Sequence, residues 1–540
     1  MFHYSMLTGS LLGFLVLQCF QALGMLLVVR LQIMDSVGTP WAFLLLLPVQ
    51  LLILRTDMIL VHFGHTHPYL PRIPHRLPAM GIYARNRHPR FWLLFLTTLA
   101  WGLLVGVPSR FLLIIGLAYF LIIGLILRFV WEGMLVGRFG ADYVSHRARV
   151  PFLTWRLHLP EYERYPLLTQ VATIAALIWF RLRYQLSFSG LEHIPDRPPF
   201  LVVAPHESYL DPFFFGILIP YRVYFITTAD VFTSGWMRFL LRGVNTFPVE
   251  RHRQDLTSIR TMLRLTADQQ VVCIFPEGGR TMDGDPQPIL PETIRLIQKC
   301  GVPILPVKLE GAYEIWPRWA PNRRRSRIQV SFQPVIPVSK QHDIATLTNA
   351  VREGIFPAMV EWQPTTGTAL SPGIDALLWG CPACGAHESI VIRSDRDIQC
   401  RHCQAEWQIS DTYQLVATDG SSISPGKWLQ ELRSRITPRI GADGTAHFLE
   451  GSIASYRGPD EGFKDARLTL TDRSFALSAK GHTLEWALER ITIFTVDFGS
   501  AFSLGVGGQR HRFLLPAGET PLKWEDHFNA AQNWRDQIRD

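Results

Sequence analysis

Apolar residues are unevenly spread along this chain. Four long runs, 8–29, 40–61, 91–107 and 111–130, are dominated by apolar side chains, and a bilayer-spanning helix needs about 20 such residues. The second run carries Arg55 and Asp57 near its end, and the third and fourth are joined by the short turn Pro108-Ser109-Arg110. The first has neither a basic leader nor a small-residue cleavage site, which predicts a retained span and not a signal peptide. After residue 131 the pattern changes. Residues 162–184 repeat Leu167, Val171, Ile174, Leu177 and Ile178 at helical spacing and end in Arg181 and Arg183, which predicts an amphipathic helix lying on a bilayer or, equally, a core helix. Short apolar strands at 186–189, 200–204, 223–227, 271–275, 304–309 and 328–332 then alternate with helices at 211–218, 235–241, 255–267, 291–299 and 344–362. Such alternation predicts an α/β layer with its site at the strand ends. Residues 363–373 read as a linker by composition. The tail from 411 is mostly strands, at 466–470, 474–477, 482–486, 491–496, 501–504 and 511–515, closed by a helix at 522–538 with Trp524, Phe528, Ala531 and Ile538 on one side.

Composition sharpens this picture. The chain has 540 residues, 48% of them hydrophobic, and a formal net charge of +8; its mean hydropathy is positive. The apolar excess sits in the first 130 residues, which points to a membrane domain rather than an oversized core. Arg72, Arg76, Arg85, Arg87 and Arg90 lie between the second and third runs, and Arg138, Arg147 and Arg149 follow the fourth. The positive-inside rule puts both segments, and everything after residue 131, in the cytoplasm. No nucleic-acid module accompanies the basic balance. Arg318 and the run Arg323-Arg324-Arg325-Ser326-Arg327 suit an anionic lipid surface or form a solvated loop.

Of the seven cysteines, Cys19, Cys273 and Cys300 are scattered in apolar contexts, and the other four form Cys381-Pro382-Ala383-Cys384 and Cys400-Arg401-His402-Cys403. Two Cys-x-x-Cys pairs at this separation resemble a zinc ribbon, which implies a closed, structural tetrahedral zinc site on Cys381, Cys384, Cys400 and Cys403.

The stretch richest in chemistry is His206-Glu207-Ser208-Tyr209-Leu210-Asp211, just after an apolar strand. A histidine and a carboxylate five positions apart can act as a general base and the group that orients it. Upstream of the next apolar strand lies Phe247-Pro248-Val249-Glu250-Arg251; after that strand comes Phe275-Pro276-Glu277-Gly278-Gly279-Arg280-Thr281, and then Val302-Pro303-Ile304-Leu305-Pro306-Val307. In this order and spacing the four blocks resemble the PlsC-like family of glycerol-phosphate and lysophosphatidic acid acyltransferases, over about residues 165–362. The resemblance implies transfer of a fatty acyl group from acyl-CoA or acyl carrier protein to a hydroxyl of a lysophospholipid such as 1-acylglycerol-3-phosphate, in phospholipid synthesis. His206 becomes the base and Asp211 its partner. Arg251 and Arg280 are candidates for the acceptor's phosphate, Glu277 and Gly278 form a ligand-facing turn, and Pro303 shapes the acyl pocket. The chain departs from the family pattern at Pro205, usually Asn, at Gly279, usually Thr or Ser, and in the distance from Gly243 to Arg251.

Residues 80–152 carry a second resemblance, through the segment from Gly81 to Phe91 with its Arg87-His88-Pro89, then Glu132, Phe139-Gly140-Ala141-Asp142-Tyr143 and Arg149-Val150-Pro151. These resemble the isoprenylcysteine carboxyl and phospholipid methyltransferases, and imply S-adenosylmethionine bound with the help of His88 and Glu132. Trp131 replaces the first Glu of that family's pair, so an inherited anchor that no longer methylates is the alternative. The whole then reads as a multidomain integral membrane protein: a transmembrane helical bundle (1–152), an α/β acyltransferase domain (162–362), a linker (363–377), a zinc ribbon (378–410) and a mainly β, pleckstrin-homology- or GRAM-like domain (411–540). A lipid or prenyl methyltransferase and a non-enzymatic membrane scaffold are the rival readings.

Overall fold

The computed structural model describes residues 82–105, 109–156, 167–228, 246–249, 256–339, 341–357, 362–366, 369–458, 462–479, 481–496 and 500–539, with short helical pieces between 49 and 57. The chain divides into two compact units, one of Met1–Ile178 with Ile217–Arg222, the other of Trp179–Gly216 with Val223–Asp540.

In the first unit, Pro89 opens helix α1 (Pro89–Val105), the position where its missing N–H costs nothing. Asn86 fixes that entry: its Nδ2 donates to the carbonyls of Phe152 (2.7 Å) and Thr154 (3.0 Å), and its Oδ1 accepts from His88 N at 2.9 Å. Helix α2 (Ser109–Leu125) continues through a π-helical stretch, Ile126–Trp131, into α3 (Glu132–Phe139), followed by α4 (Ala141–Arg149). Among the described residues one helix, Leu113–Phe139, is long and apolar enough to cross a membrane, at a mean hydropathy of 2.6. The third sequence run is α1, 17 residues long; the first run, and all but a few residues of the second, lie outside the described residues.

Helix α5 (Leu167–Tyr184) leads into the second unit. There a seven-stranded sheet has the order β1-β7-β6-β2-β5-β3-β4, with β1 Ser187–Ser189, β2 Phe200–Val203, β3 Val223–Thr228, β4 Thr246–Val249, β5 Val271–Ile274, β6 Ile304–Glu310 and β7 Gln329–Phe332. Only the β6–β7 pair is antiparallel. β2 and β5 are buried at every position, as parallel strands covered on both faces must be, and this is why they read as unbroken apolar runs. Helices α6 (Asp211–Gly216), α7 (Leu256–Ala267), α8 (Pro291–Cys300) and α10 (Ile344–Ile355) complete the layers, with a short α9 (Ala312–Ile315) after β6.

Two differences from the sequence expectation have simple causes. β4 was not expected, because Pro248 lies inside it; it is the sheet's edge strand, where a missing N–H is tolerated. Helix α10 stops at Ile355 instead of reaching 362, since Phe356 precedes Pro357 and is held extended. The expected helix 235–241 lies outside the described residues.

The segment 363–377 is not an open linker. Leu370, Ser371, Ile374 and Leu377 are fully buried, and Arg324 Nη2 donates to Leu370 O at 2.6 Å. They join one apolar core with Trp319, Trp379, Trp407, Tyr413 and Trp428, against which Trp316 and Trp362 pack. The ribbon sheet, β8 (Ile390–Ile392), β9 (Asp397–Cys400), β10 (Glu406–Ile409), β11 (Leu415–Ala417) and β12 (Ser422–Ile423), is an antiparallel meander that runs past 410. A helix, α11 (Pro425–Ser434), follows, capped by Ser424.

The last part is antiparallel: β13 (Ala446–Arg457), β14 (Gly462–Thr471), β15 (Ser474–Ala479), β16 (His482–Ala487), β17 (Ile491–Val496), β18 (Ala501–Val506) and β19 (Gln509–Leu514), in the order β16-β15-β14-β13-β19-β18-β17. β13 escapes the sequence pattern because Gly451 interrupts it. A Cβ there would lie 2.7 Å from the ring of Trp524, on the closing helix α12 (Pro521–Arg539). From α12, Asp526 accepts from Trp379 Nε1 and from Arg433 Nε, both at 2.8 Å, and Arg433 also reaches Asp283 at 3.8 Å.

His527 of α12 is 3% exposed and its Nδ1 lies 2.7 Å from Lys523 O. Burial pushes its pKa down to about 4 from the ordinary 6.5. Between those values the unfolded chain binds a proton that the folded one refuses, so this group removes about 3 kcal/mol of stability as pH falls from 6.5 through 4. His527→Gln keeps a donor for Lys523 O without titrating. Its stability in denaturant should therefore change less between pH 7 and 4.5, by about 2–3 kcal/mol. An unaltered pH dependence would show that His527 titrates as it does in the unfolded chain.

Candidate active site

β2 and β5 are neighbours in parallel register, Val203 opposite Ile274, so the loops that leave their C-terminal ends meet. That places the His206 block against the Glu277 block. His206 Nδ1 lies 2.9 Å from Asp211 Oδ2. The carboxylate is fixed by its own turn, accepting from Glu207 N at 2.7 Å and from Ser208 N at 2.9 Å. Since Oδ2 is an acceptor, Nδ1–H donates, and the proton-accepting lone pair is on Nε2. Phe275 stacks on the imidazole at 4.1 Å. Asp211 is fully buried and His206 is 19% exposed. Burial pushes the Asp211 carboxyl up to about 8, while the N–H donors and the Arg280 charge pull it down.

The Glu277 side chain has a role its block did not suggest. Its Oε1 accepts from His206 N at 2.7 Å and its Oε2 from Gln287 N at 2.9 Å. Both side-chain oxygens hold backbone, so the Glu277 carboxylate ties the two loops together. Burial raises it to about 7 and those donors oppose the shift. Thr281 N donates to His206 O at 2.9 Å and makes the same tie a second time. Gly278 turns at φ +72°, where a Cβ would meet Leu290 Cδ1 at 2.5 Å.

Arg280 lies in the site, its guanidinium carbon 3.3 Å from the centre of the Tyr209 ring. Burial lowers its pKa to about 10, which leaves it charged at neutral pH. Arg318 Nη1 donates to Arg280 O at 3.5 Å. Pro303 is at the wrong end of the sheet. Its carbonyl accepts from Leu201 N at 2.9 Å, beside the start of β2, whereas His206 lies beyond that strand's end. Arg251 lies outside the described residues.

Glu207 was missed as a structural group. Its N–H goes to Asp211 and its Oε2 accepts from Tyr313 N at 3.2 Å. Burial, with the charges of Asp211, Glu314 and Glu277, holds it well above the carboxylate range. It lines a narrow cavity of about 30 Å³ with Glu277, Tyr313, Glu314 and Trp362, room for little more than a water. Only its position inside the block hinted at this.

The four tail cysteines converge, their sulfurs all within 4.8 Å of one another. Cys381 and Cys403 are 3.7 Å apart and Cys384 and Cys400 3.8 Å, far beyond a disulfide. A zinc–sulfur bond of about 2.3 Å in a tetrahedron requires sulfur separations of about 3.8 Å, so the donor set fits zinc.

In the first unit His88 and Glu132 do meet, Nε2 to Oε1 at 3.3 Å. Arg87 also reaches Oε1 at 3.0 Å, and Arg128 reaches Oε2 at 2.8 Å. Glu132 is 1% exposed, and cations of the chain itself neutralise it. A sulfonium cofactor would have to displace them, so these residues as arranged do not fit one.

Residues 185–310 match the family model described as Acyltransferase. The chain is 26% identical over 131 residues to a 1-acyl-sn-glycerol-3-phosphate acyltransferase of Bacillus subtilis, covering 24% of this chain and 65% of that protein. It is 24% identical over 192 residues to the 1-acyl-sn-glycerol-3-phosphate acyltransferase alpha of Bos taurus, covering 34% and 67%. A crystal structure of PlsC, the 1-acyl-sn-glycerophosphate acyltransferase of Thermotoga maritima, aligns with a TM-score of 0.31 and 19% identity over 44% of this chain and 92% of that one. Within the α/β part, residues 185–310 thus resemble an acyltransferase domain. The chain spans just under two thirds of the Bacillus relative, and most of its own length lies outside these matches.

Proposed function

We propose that this protein is a membrane-bound glycerolipid acyltransferase that moves a fatty acyl group from acyl-CoA or acyl carrier protein to the free hydroxyl of a lysophospholipid such as 1-acylglycerol-3-phosphate. The observation that carries the reading is the His206–Asp211 pair at 2.9 Å, at the end of a buried parallel strand with Arg280 beside it. His206 Nε2 takes the proton of the acceptor hydroxyl as that oxygen bonds to the thioester carbonyl carbon. The C–S bond then breaks, and the thiolate leaves with the proton returned by the imidazolium. Asp211 holds the tautomer and stabilises the imidazolium, and Glu277 fixes the backbone of His206. Arg280 takes the acceptor's phosphate, for which a guanidinium is suited by its paired donors.

The membrane part of the reading is supported by the helix Leu113–Phe139, whose Leu113, Leu117 and Phe129 are among its exposed apolar side chains, with the arginine-rich segments and the catalytic part on the cytoplasmic side. Cys381, Cys384, Cys400 and Cys403 hold a structural zinc, which supplies a rigid cross-link and no chemistry to the transfer. The β13–β19 antiparallel sheet closed by α12 is consistent with a pleckstrin-homology-like module. The test is transfer of labelled acyl groups by the purified full chain in detergent, from acyl-CoA and from acyl carrier protein, to a panel of lysolipids. Transfer that favours phosphate-bearing acceptors is expected. No transfer from either donor to any acceptor would overturn the reading.

A further inference from the structure

We propose that Tyr209 is a positioning residue that sets the acceptor's phosphate site by holding the Arg280 guanidinium over its ring. The inference rests on the acyltransferase reading and deepens it. The Arg280 guanidinium carbon lies over the Tyr209 ring, 3.3 Å from its centre and at van der Waals distance, and the Tyr209 side chain also hydrogen-bonds Arg280. A guanidinium whose carbon is held over a ring keeps its N–H donors at the rim of the contact, where they can meet phosphate oxygens in a bidentate pair. An aliphatic side chain at 209 would leave those donors unplaced.

The ring itself is well anchored. Tyr209 lies between His206 and Asp211 in a turn whose Ser208 N donates to Asp211 and whose Leu210 N donates to Ser208 Oγ at 3.2 Å. Trp316 packs against Tyr209 at 4.9 Å between ring centres, and its own Nε1 donates to Ala320 O at 3.2 Å. Arg323 lies over Trp316 at 5.6 Å. Arg280 is therefore set by a ring that belongs to the same short loop as the base. The distance between phosphate and reacting hydroxyl is built into one turn of chain. Arg280 also feels the Asp211 carboxylate across that turn.

The experiment measures steady-state transfer by the full chain, varying lysophosphatidate at saturating acyl-CoA. Tyr209→Leu should raise the KM for lysophosphatidate about thirtyfold, the size of a lost desolvated cation–π contact, while kcat and the KM for acyl-CoA change little. Tyr209→Phe keeps the ring under the guanidinium and loses only the hydroxyl's hydrogen bond to Arg280, so it should return KM most of the way to wild type. Arg280→Lys should raise KM by itself, and adding Tyr209→Leu to it should raise KM no further, because the two act as one unit. If thermal unfolding shows that Tyr209→Leu is not folded, Tyr209→Met, which fills the space without a π-face, takes its place. An unchanged KM, a fall in kcat alone, or multiplying effects of the two substitutions would each overturn the proposal. Wild type that does not turn over lysophosphatidate removes the acyltransferase reading and this proposal with it. Turnover with a KM indifferent to Tyr209 removes only the proposal.

Discussion

His206→Ala is expected to lose acyl transfer by at least about 100-fold while the protein remains folded. The imidazole is the only group of the block with both a partly open edge and a partner that fixes its tautomer, Asp211 at 2.9 Å. Its backbone, which the substitution keeps, carries the fold: His206 N still donates to Glu277 and its carbonyl still accepts from Thr281. The loss should therefore fall on kcat with the unfolding midpoint nearly unmoved. Transfer at the wild-type rate would remove His206 as the base. Collapse of the fold would show that its stack on Phe275, at 4.1 Å, holds the strand end together.

The second large effect is on stability. Purified without chelators, the protein should carry zinc on its four clustered cysteines, and Cys381→Ser with Cys400→Ser should abolish that binding. Structural zinc sites of this type contribute apparent free energies of about 10–16 kcal/mol, which is comparable to the whole stability of a domain. Cys381 and Cys400 are fully buried in the core that also contains Trp319, Tyr413 and Trp428. Tyr413 in turn packs on Tyr313, at 6.3 Å between ring centres, and Tyr313 N donates to Glu207. Loss of the metal should thus loosen the wall behind the His206 block, and acyl transfer should fall along with the midpoint of unfolding. Metal analysis that finds no zinc, with four thiols reactive in the folded protein, would refute the site.

How much of this was legible in the sequence depends on what each residue reports. The His206–Asp211 spacing was readable because both groups lie on one turn, where sequence distance fixes spatial distance. The cysteine pairs were readable for the same reason, each pair being a local knuckle. The tie made by the Glu277 side chain and the place of Pro303 were not readable because both depend on register. A parallel strand carries its block to one end or the other, and Pro303 precedes β6 at the end away from the histidine. The backbone tie made by Glu277 joins loops 71 residues apart, and nothing in either loop announces it. Tyr209 carried no role in the sequence, since its ring acquires meaning only when Arg280 is laid on it. The supposed linker was misread because Pro, Gly and Thr mark turns equally well when those turns are packed inside a protein; its Leu370, Ile374 and Leu377 were the missed signal.

The charged chain from Asp283 through Arg433 to Asp526 bears on how this protein can be taken apart. Asp283 lies two residues from Thr281, whose hydroxyl it accepts at 3.0 Å, while Asp526 is on the final helix. The C-terminal region is therefore not a detachable cargo. A fragment trimmed at the motif boundaries, near residue 362, would strip the partner from Asp283 and open the tryptophan-rich core to water. Silence from such a fragment in an assay would report a broken scaffold and say nothing about the chemistry. Likewise, a bulky fusion pressed against the last helix would act on the Thr281–Asp283 turn from the far end of the sequence.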